Sequence, residues 1–545
     1  DHCEQKPLGW SKLKGILISS DYLASALTDN TINVLPKLFR VPDLKYFSSD
    51  TRKSPLYPLS MMNTADKRKH TIVIAPTGAG KTDFLMRRCS KRVFYILPFQ
   101  ASINAMYKRF KSSLPPETDI RLLHAASSVV IKNKNEYEEK VLQPLVGSSV
   151  KVLTPHQIAS LICGTRGFES IAVDIAGCDV ILDEIHCYSD LSQSMVIEII
   201  KVLIKLNCTV HVGTATMPGA LLKIIHELLG GEENVYLVRL PEKVLDTFNR
   251  HKILKHENEL SALSVVDKAV SRNEKILIVC NRVEIAQKRF YELKKKYDGI
   301  PMLLLHSRFR RIDRSLLEDK LKNEFNDRDK LPGSCIVVST QVVEVSLDIS
   351  FDIMITDAAP LDSLIQRFGR INRYRTEETL KKKTIREIHV IAPPENLKDC
   401  LPYKKEIVSS SFDQLPDKKI LREKDLQNKI DAVFPSVSLN PISTHLVWNG
   451  GQFLLKELCH FSKSVLIESL NIESASCIRF SDKEKYEKGN IETKISLEIP
   501  VPRSAVFRSF TNFGRSKYGT NPIIVSDDLY SEDLGLQWKE IENIF

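Results

Sequence analysis

No two cysteines in this chain stand at C-x-x-C spacing. The 11 cysteines are scattered singly from Cys3 to Cys477. This excludes a zinc ribbon and a disulfide framework, and makes a reducing cytoplasm the expected setting. Long apolar runs are missing too: no window reaches the roughly 18 unbroken apolar residues of a membrane span. The best candidate, MVIEIIKVLIKL at 195–206, carries Glu198, Lys201 and Lys205 and reads as an amphipathic core helix. DHCEQKPLGW, at the start, is acidic and has no apolar segment, so it does not read as a signal peptide. Repeats and low-complexity tracts are absent. None of the 13 histidines is followed by Asp, and no Gln occurs between Lys6 and Phe99.

What is present is an ordinary globular composition over 545 residues, with 43% apolar and 27% charged residues. That length suits several domains rather than one core. The net charge of +10 favours a partner that carries phosphates, without requiring one.

From about 70 to 390, short β-branched runs alternate with amphipathic helical patterns. The runs include TIVIA (71–75), RVFYIL (92–97), DVILD (179–183), TVHVGTA (209–215), KILIVC (275–280), CIVVST (335–340) and DIMIT (352–356). Apolar strands separated by helices predict parallel sheets covered on both faces. A polar stretch at 241–262 parts the runs into two groups, hence two α/β domains in tandem. Helical segments precede them. Charged loops, mixed helices and late strand-like runs such as ISLEIPV follow after about 395.

The first strand leads into APTGAGKT (75–82), which departs from the phosphate-binding loop G-x-x-x-x-G-K-[ST] only at Ala75. Gly78 and Gly80 free the backbone around Thr77 and Ala79 to turn its N–H groups toward phosphate, and the helix opening at Thr82 adds its positive end. Lys81 would reach the β- and γ-phosphates and Thr82 a magnesium ion. About one hundred residues on, CDVILDEIH supplies an acidic pair at a buried strand end. Asp183 suits the magnesium through its waters, and Glu184 suits orienting and deprotonating a water. His186 follows the pair, but with no second ligand in the sequence it reads as a coupling residue rather than a metal ligand. In the second group, QRFGRINR (366–373) offers Gln366 and two arginines, Arg370 and Arg373, that can act as fingers on a γ-phosphate.

Taken in order, APTGAGKT, LPFQASIN, TPHQ, DEIH, GTATMP, VCNRVEIA, LLHSRF, STQVVEVSLDI and QRFGRINR resemble the motif series of superfamily 2 helicases over roughly residues 55–375. DEIH, TQVVEVSLDI and DAAPLDSLIQRFGRINR are similar to those of the CRISPR-associated helicase of type I interference systems. The resemblance implies two tandem RecA-like domains, at 46–245 (ATP-binding) and 246–395. It also implies a helical remnant of an HD-type nuclease domain at 1–45 and a C-terminal accessory domain at 396–545. ATP and Mg2+ are the implied cofactors; the missing upstream Gln leaves adenine choice to the family alone. Thr214, Thr216, Gln341 and Glu344 are implied to couple hydrolysis to movement, with Asp348 beside the nucleotide. Phe99, Gln100, Thr154, Pro155, His306, Ser307 and Arg308 are implied to grip the strand by its phosphates.

The implied activity is an ATP-dependent translocase and helicase moving 3′ to 5′ on single-stranded DNA. Its implied partners are a Cascade-type surveillance complex and a separate HD nuclease. An RNA helicase, or a non-catalytic clamp that recruits a nuclease, are the alternatives. KGILISSDYLASAL (14–27) resembles the last helix of the family's nuclease, with Asp21 at the place of a metal ligand. One carboxylate cannot hold a divalent metal, so no cutting is expected. LYSEDLGL near the end resembles the family's closing segment, which caps the strand-binding face.

Overall fold

The computed structural model describes residues 11–26, 35–98, 100–123, 146–164, 167–184, 190–344, 347–396, 400–437, 448–449, 452–453, 474–502 and 522–537. Packing divides the chain into two compact units. The first is 1–244 with 434–472, and the second is 245–433 with 473–545. The stretch after 396 is therefore shared between the two units.

The first unit is built on a seven-stranded, wholly parallel sheet: β1 (His70–Ile74), β2 (Val93–Ile96), β3 (Ile120–Leu123), β4 (Val150–Leu153), β5 (Asp179–Asp183), β6 (Thr209–Thr214) and β7 (Val235–Arg239). Their order is β3-β4-β2-β5-β6-β1-β7. Every residue of β2, β4 and β5 is buried, as expected for strands covered by helices on both faces. Register pairs Ile74 of β1 with Thr214 of β6, and Asp183 of β5 with Gly213. The ends of the APTGAGKT strand, the acidic strand and the GTATMP strand thus lie side by side.

The run at 195–206 lies, but for Leu206, in the helix Asp190–Lys205, with Met195, Val196, Ile199, Ile200, Val202 and Leu203 in the core. Among the described residues no helix is long and apolar enough to cross a membrane. Near the start, the helix Lys12–Ala26 packs on Phe168–Ile175. Lys14 pairs with Glu169 at 2.8 Å and the Ser19 and Ser170 hydroxyls lie 2.5 Å apart. A Cβ on Gly15 would stand 2.5 Å from the Glu169 carbonyl oxygen, so the close crossing requires glycine.

The second unit holds another seven-stranded sheet: β8 (His251–His256), β9 (Lys275–Val279), β10 (Met302–Leu305), β11 (Cys335–Ser339), β12 (Ile353–Asp357), β13 (Arg386–Ile391) and β14 (Lys419–Ile420). Their order is β10-β11-β9-β12-β13-β8-β14, parallel except for β14. The polar stretch read as a divider contains β8, whose sequence HKILKH has few apolar residues. Its polar side chains find partners inside the unit: His251 meets the Ile371 carbonyl at 2.9 Å and His256 meets His389 at 2.8 Å. ISLEIPV is split, ending the helix Ile491–Leu497 and opening a short strand at Ile499–Pro502.

Candidate nucleotide and strand sites

The turn after β1 is shaped by Gly78 (φ 86°) and Gly80 (φ 92°), in a region L side chains rarely adopt. Gly80 starts the helix Lys81–Arg88, and a Cβ there would come within 3.3 Å of Tyr57. The segment before β1 braces the turn, since the Leu59 N–H donates to the Ala79 carbonyl at 3.1 Å. Arg87 donates back to the Leu59 carbonyl at 2.6 Å.

Lys81 lies over the ends of β1 and β5. Its Nζ donates to the Ala75 carbonyl at 3.0 Å and stands 3.6 Å from Glu184 Oε1. Glu184 adopts φ 55°, a strained setting for a non-glycine residue. The Ala215 N–H donates to Glu184 Oε2 at 3.3 Å, which joins the acidic pair to the segment after β6. There Thr214 Oγ1 donates to the Thr216 carbonyl at 2.7 Å, and both threonines are buried.

Asp183 is buried, and Oδ2 accepts a hydrogen bond from the Tyr95 hydroxyl at 2.6 Å. Oδ1 is buried with no partner. Burial, with the Glu184 charge adding to it, pushes the Asp183 carboxyl up to about 7. Burial and the same carboxylate push the Tyr95 phenol well above its ordinary range. A Cβ on Gly213 would meet Asp183 Oδ1 at 2.9 Å and the Leu85 side chain at 2.6 Å. An unpaired carboxylate oxygen beside a lysine and a glycine-shaped turn fits a magnesium–nucleotide: Thr77 to Thr82 would hold phosphates, and Thr82 with Asp183 would hold the ion. Asp83, in the first helical turn, is held by Arg52 and by Arg109 (2.5 Å).

Tyr95, Gly213, Ala215, Arg52 and Arg109 were not legible as site residues. Gly213 and Ala215, both inside GTATMP, sit in a motif that could have flagged them. His186 and Phe99 lie outside the described residues. Gln100 opens the helix Gln100–Ser113. Thr154 and Pro155 are buried at the start of the helix Pro155–Cys163, Thr154 as its N-cap.

In the second unit, Arg367 is fully buried. It donates to Glu344 Oε1 (2.9 Å), Thr356 Oγ1 (2.8 Å) and Asn281 Oδ1 (2.9 Å). Sequence reasoning passed over this arginine. Arg370 is also buried and donates to the Leu347 and Glu344 carbonyls, both at 2.6 Å. Arg373 is more open and pairs with the exposed Asp348 at 2.9 Å. Gln366 is buried, and Gln341 donates to the Asn281 carbonyl at 2.7 Å.

His306 is completely buried. Its Nδ1 accepts from the Arg308 N–H at 3.1 Å, which leaves Nε2 to donate to the Leu534 carbonyl at 3.0 Å. Burial pushes the ring down to about 3, so it is neutral. His306 therefore supports this loop from behind, where the strand-contact expectation placed it on the loop's face. The closing segment does the anchoring: the Leu536 N–H donates to the Arg308 carbonyl at 2.8 Å, and a Cβ on Gly535 would meet that oxygen at 2.7 Å. Ser307 and Arg308 remain partly accessible. Arg308 pairs with Glu284 at 2.6 Å while its Nη1 is buried without a partner.

Two family models match the chain: a DEAD/DEAH box helicase over 59–224, and the C-terminal part of the CRISPR-associated nuclease/helicase Cas3 over 272–376. These matches support a CRISPR-associated helicase of superfamily 2. The chain is 27% identical over 387 residues to the CRISPR-associated nuclease/helicase Cas3 of Methanothermobacter thermautotrophicus, covering 67% of this chain and 45% of that protein. Its identity to the CRISPR-associated endonuclease/helicase Cas3 of Escherichia coli is 24%, over 56% of this chain and 40% of that one. The match thus spans about half the length of such relatives. The crystal structure of T. fusca Cas3-ATP superposes with a TM-score of 0.70 at 16% identity, covering 96% of this chain and 77% of the other. At that identity the likeness shows the fold: tandem RecA-like α/β domains.

Proposed function

We propose that the chain is an ATP-hydrolysing motor that translocates 3′ to 5′ on single-stranded DNA and unwinds it during CRISPR interference. The observation that carries this reading is the meeting of Lys81, Glu184 and the unpaired Asp183 oxygen at one end of the first sheet. A passive clamp has no need of a strained glutamate beside a phosphate-gripping lysine. In this reading the turn N–H groups and Lys81 hold the β- and γ-phosphates. Glu184 orients a water and takes its proton. Magnesium, held by Thr82 and Asp183, supplies charge neutralisation on the phosphates. Ala215, hydrogen-bonded to Glu184, passes the state of the site to Thr214 and Thr216. Arg370 and Arg373 act as the finger pair, and Ser307 and Arg308 grip the strand.

A Cascade-type partner is proposed because a chain within a solved CRISPR RNA-guided surveillance complex, pre-nicking, shares this fold, with a TM-score of 0.59 and 16% identity. The nuclease step is assigned to another polypeptide or segment. Asp21 is exposed on its helix, and among the described residues it belongs to no cluster of metal-ligating side chains.

The test is ATP turnover by the purified chain with single-stranded DNA, with single-stranded RNA of the same sequence, and with neither. Stimulation by DNA, lost in Lys81→Ala, is expected. Equal stimulation by RNA would move the assignment to an RNA helicase. Turnover indifferent to either strand would remove the motor reading.

A further inference from the structure

Cys89, Asp179 and His211 meet inside the first unit, at the opposite end of the strands from the phosphate turn. One ligand atom from each lies within 4.8 Å of the other two. Asp179 is held ready: Oδ2 accepts the backbone N–H groups of Ser90 (2.6 Å) and Lys91 (2.8 Å), while Oδ1 faces His211 Nε2 at 3.6 Å. That separation is too long for a hydrogen bond. It is close to the roughly 3.4 Å expected between two ligand atoms of a tetrahedral zinc ion. His211 is fully buried, and neither ring nitrogen has a hydrogen-bond partner. A buried imidazole without partners is unusual, because buried polar groups are nearly always paired. The Cys89 thiol donates only a weak hydrogen bond, to the Leu85 carbonyl at 3.4 Å.

We propose that Cys89, Asp179 and His211 bind one zinc-class divalent cation, separate from the magnesium of the phosphate site. The donor set decides the class. Thiolate and imidazole suit zinc and its neighbours, whereas magnesium takes oxygen ligands. A carboxylate and a thiolate together balance the dication's charge, and the thiol proton leaves to solvent on binding. Three protein ligands leave one tetrahedral position for water. Asp179 lies four residues before Asp183 on β5, roughly 13 Å away, so the two cations do not share ligands. The ion would tie together the C-cap of the Lys81–Arg88 helix, the start of the acidic strand and the strand that ends at Thr214. Its role is structural: it clamps the elements that carry the nucleotide site.

The full chain is equilibrated with zinc in excess magnesium–ADP, which occupies the phosphate site, then desalted and assayed for metal by mass spectrometry. About one zinc per chain should remain, falling at least tenfold in Cys89→Ser and in His211→Asn. Zinc should raise the melting temperature of the wild type and not of the variants. Cobalt(II) should give a near-ultraviolet thiolate band that Cys89→Ser lacks, which decides the matter even if His211→Asn does not fold. A wild type that retains no zinc, or a Cys89→Ser protein that retains as much, overturns the site.

Discussion

The phosphate site of the first RecA-like unit and the arginine cluster of the second handle buried charge in opposite ways. In the first, Asp183 Oδ1 has no partner, Lys81 rests 3.6 Å from Glu184, and Glu184 is held at a positive φ. In the second, Arg367 spends its donors on Glu344, Thr356 and Asn281, and Arg370 is turned onto two carbonyls of its own unit. An open set of charges is stabilised by what binds to it. A closed set stabilises the fold, and must exchange partners before it can act on anything else. The same residue types therefore carry different meanings. Removing one from the phosphate site should cost chemistry, and removing a buried member of the arginine cluster should cost folding.

The widest gap should appear between Glu184→Gln and Arg367→Ala. Glu184→Gln is expected to lower ATP turnover by about 10²- to 10⁴-fold, the usual contribution of a general base, with an unchanged melting temperature and retained ATP binding. Arg367→Ala leaves Glu344 buried without its cation, which should cost about 3–5 kcal/mol and unfold the second unit first. Melting curves and nucleotide titrations on both variants check this. A stable Arg367→Ala protein that merely loses turnover would erase the distinction between the two sites.

Arg373 sharpens the comparison, because it is the open member of the closed set. Its ion pair is with the exposed Asp348, and such pairs contribute little, about 0–1 kcal/mol. Arg373→Ala should hold its melting temperature within a degree or two, while strand-stimulated turnover falls about 10³-fold, the scale of a lost arginine finger. Unchanged turnover would remove Arg373 from the site. Gly213→Ala tests the first unit from the packing side. The added methyl must displace Leu85 or Asp183 Oδ1, at a cost of about 1–3 kcal/mol, and magnesium-dependent nucleotide binding should weaken with it. Wild-type binding in that variant would mean that Asp183 does not need its present position.

How far these contrasts could be read beforehand follows from the range of the interactions. The strands β2, β5, β9 and β11 announce themselves because both faces are buried, leaving apolar runs at their centres. β8 does not, since His251 and His256 are matched by Ile371 and His389, more than a hundred residues away. Likewise APTGAGKT and DEIH are local patterns whose chemistry is carried by adjacent residues. The Tyr95 hydroxyl on Asp183, the Ala215 amide on Glu184 and the burial of Arg370 are tertiary facts, with no local spacing to betray them. His306 shows the same limit. Its motif is plain, yet its supporting position is set by Leu534, 228 residues further on.

The finest test of the open site is its response to pH without nucleotide or divalent ion. Burial and the neighbouring Glu184 raise the Asp183 carboxyl from 3.8 to about 7 in the folded chain. Between those values the folded state binds a proton that the unfolded state does not. Stability from this group therefore rises as pH falls below 7 and levels off below about 4. It is absent above pH 8, where both states are ionised. Between pH 8 and pH 6 the gain should be about 1 kcal/mol, measured by urea denaturation as the difference between wild type and Asp183→Asn. Magnesium binding needs the carboxylate and runs the other way, so added magnesium–nucleotide should flatten or reverse the trend. If the wild type and Asp183→Asn show the same pH dependence, the Asp183 carboxyl is not the poised group, and the unpaired oxygen has some other origin.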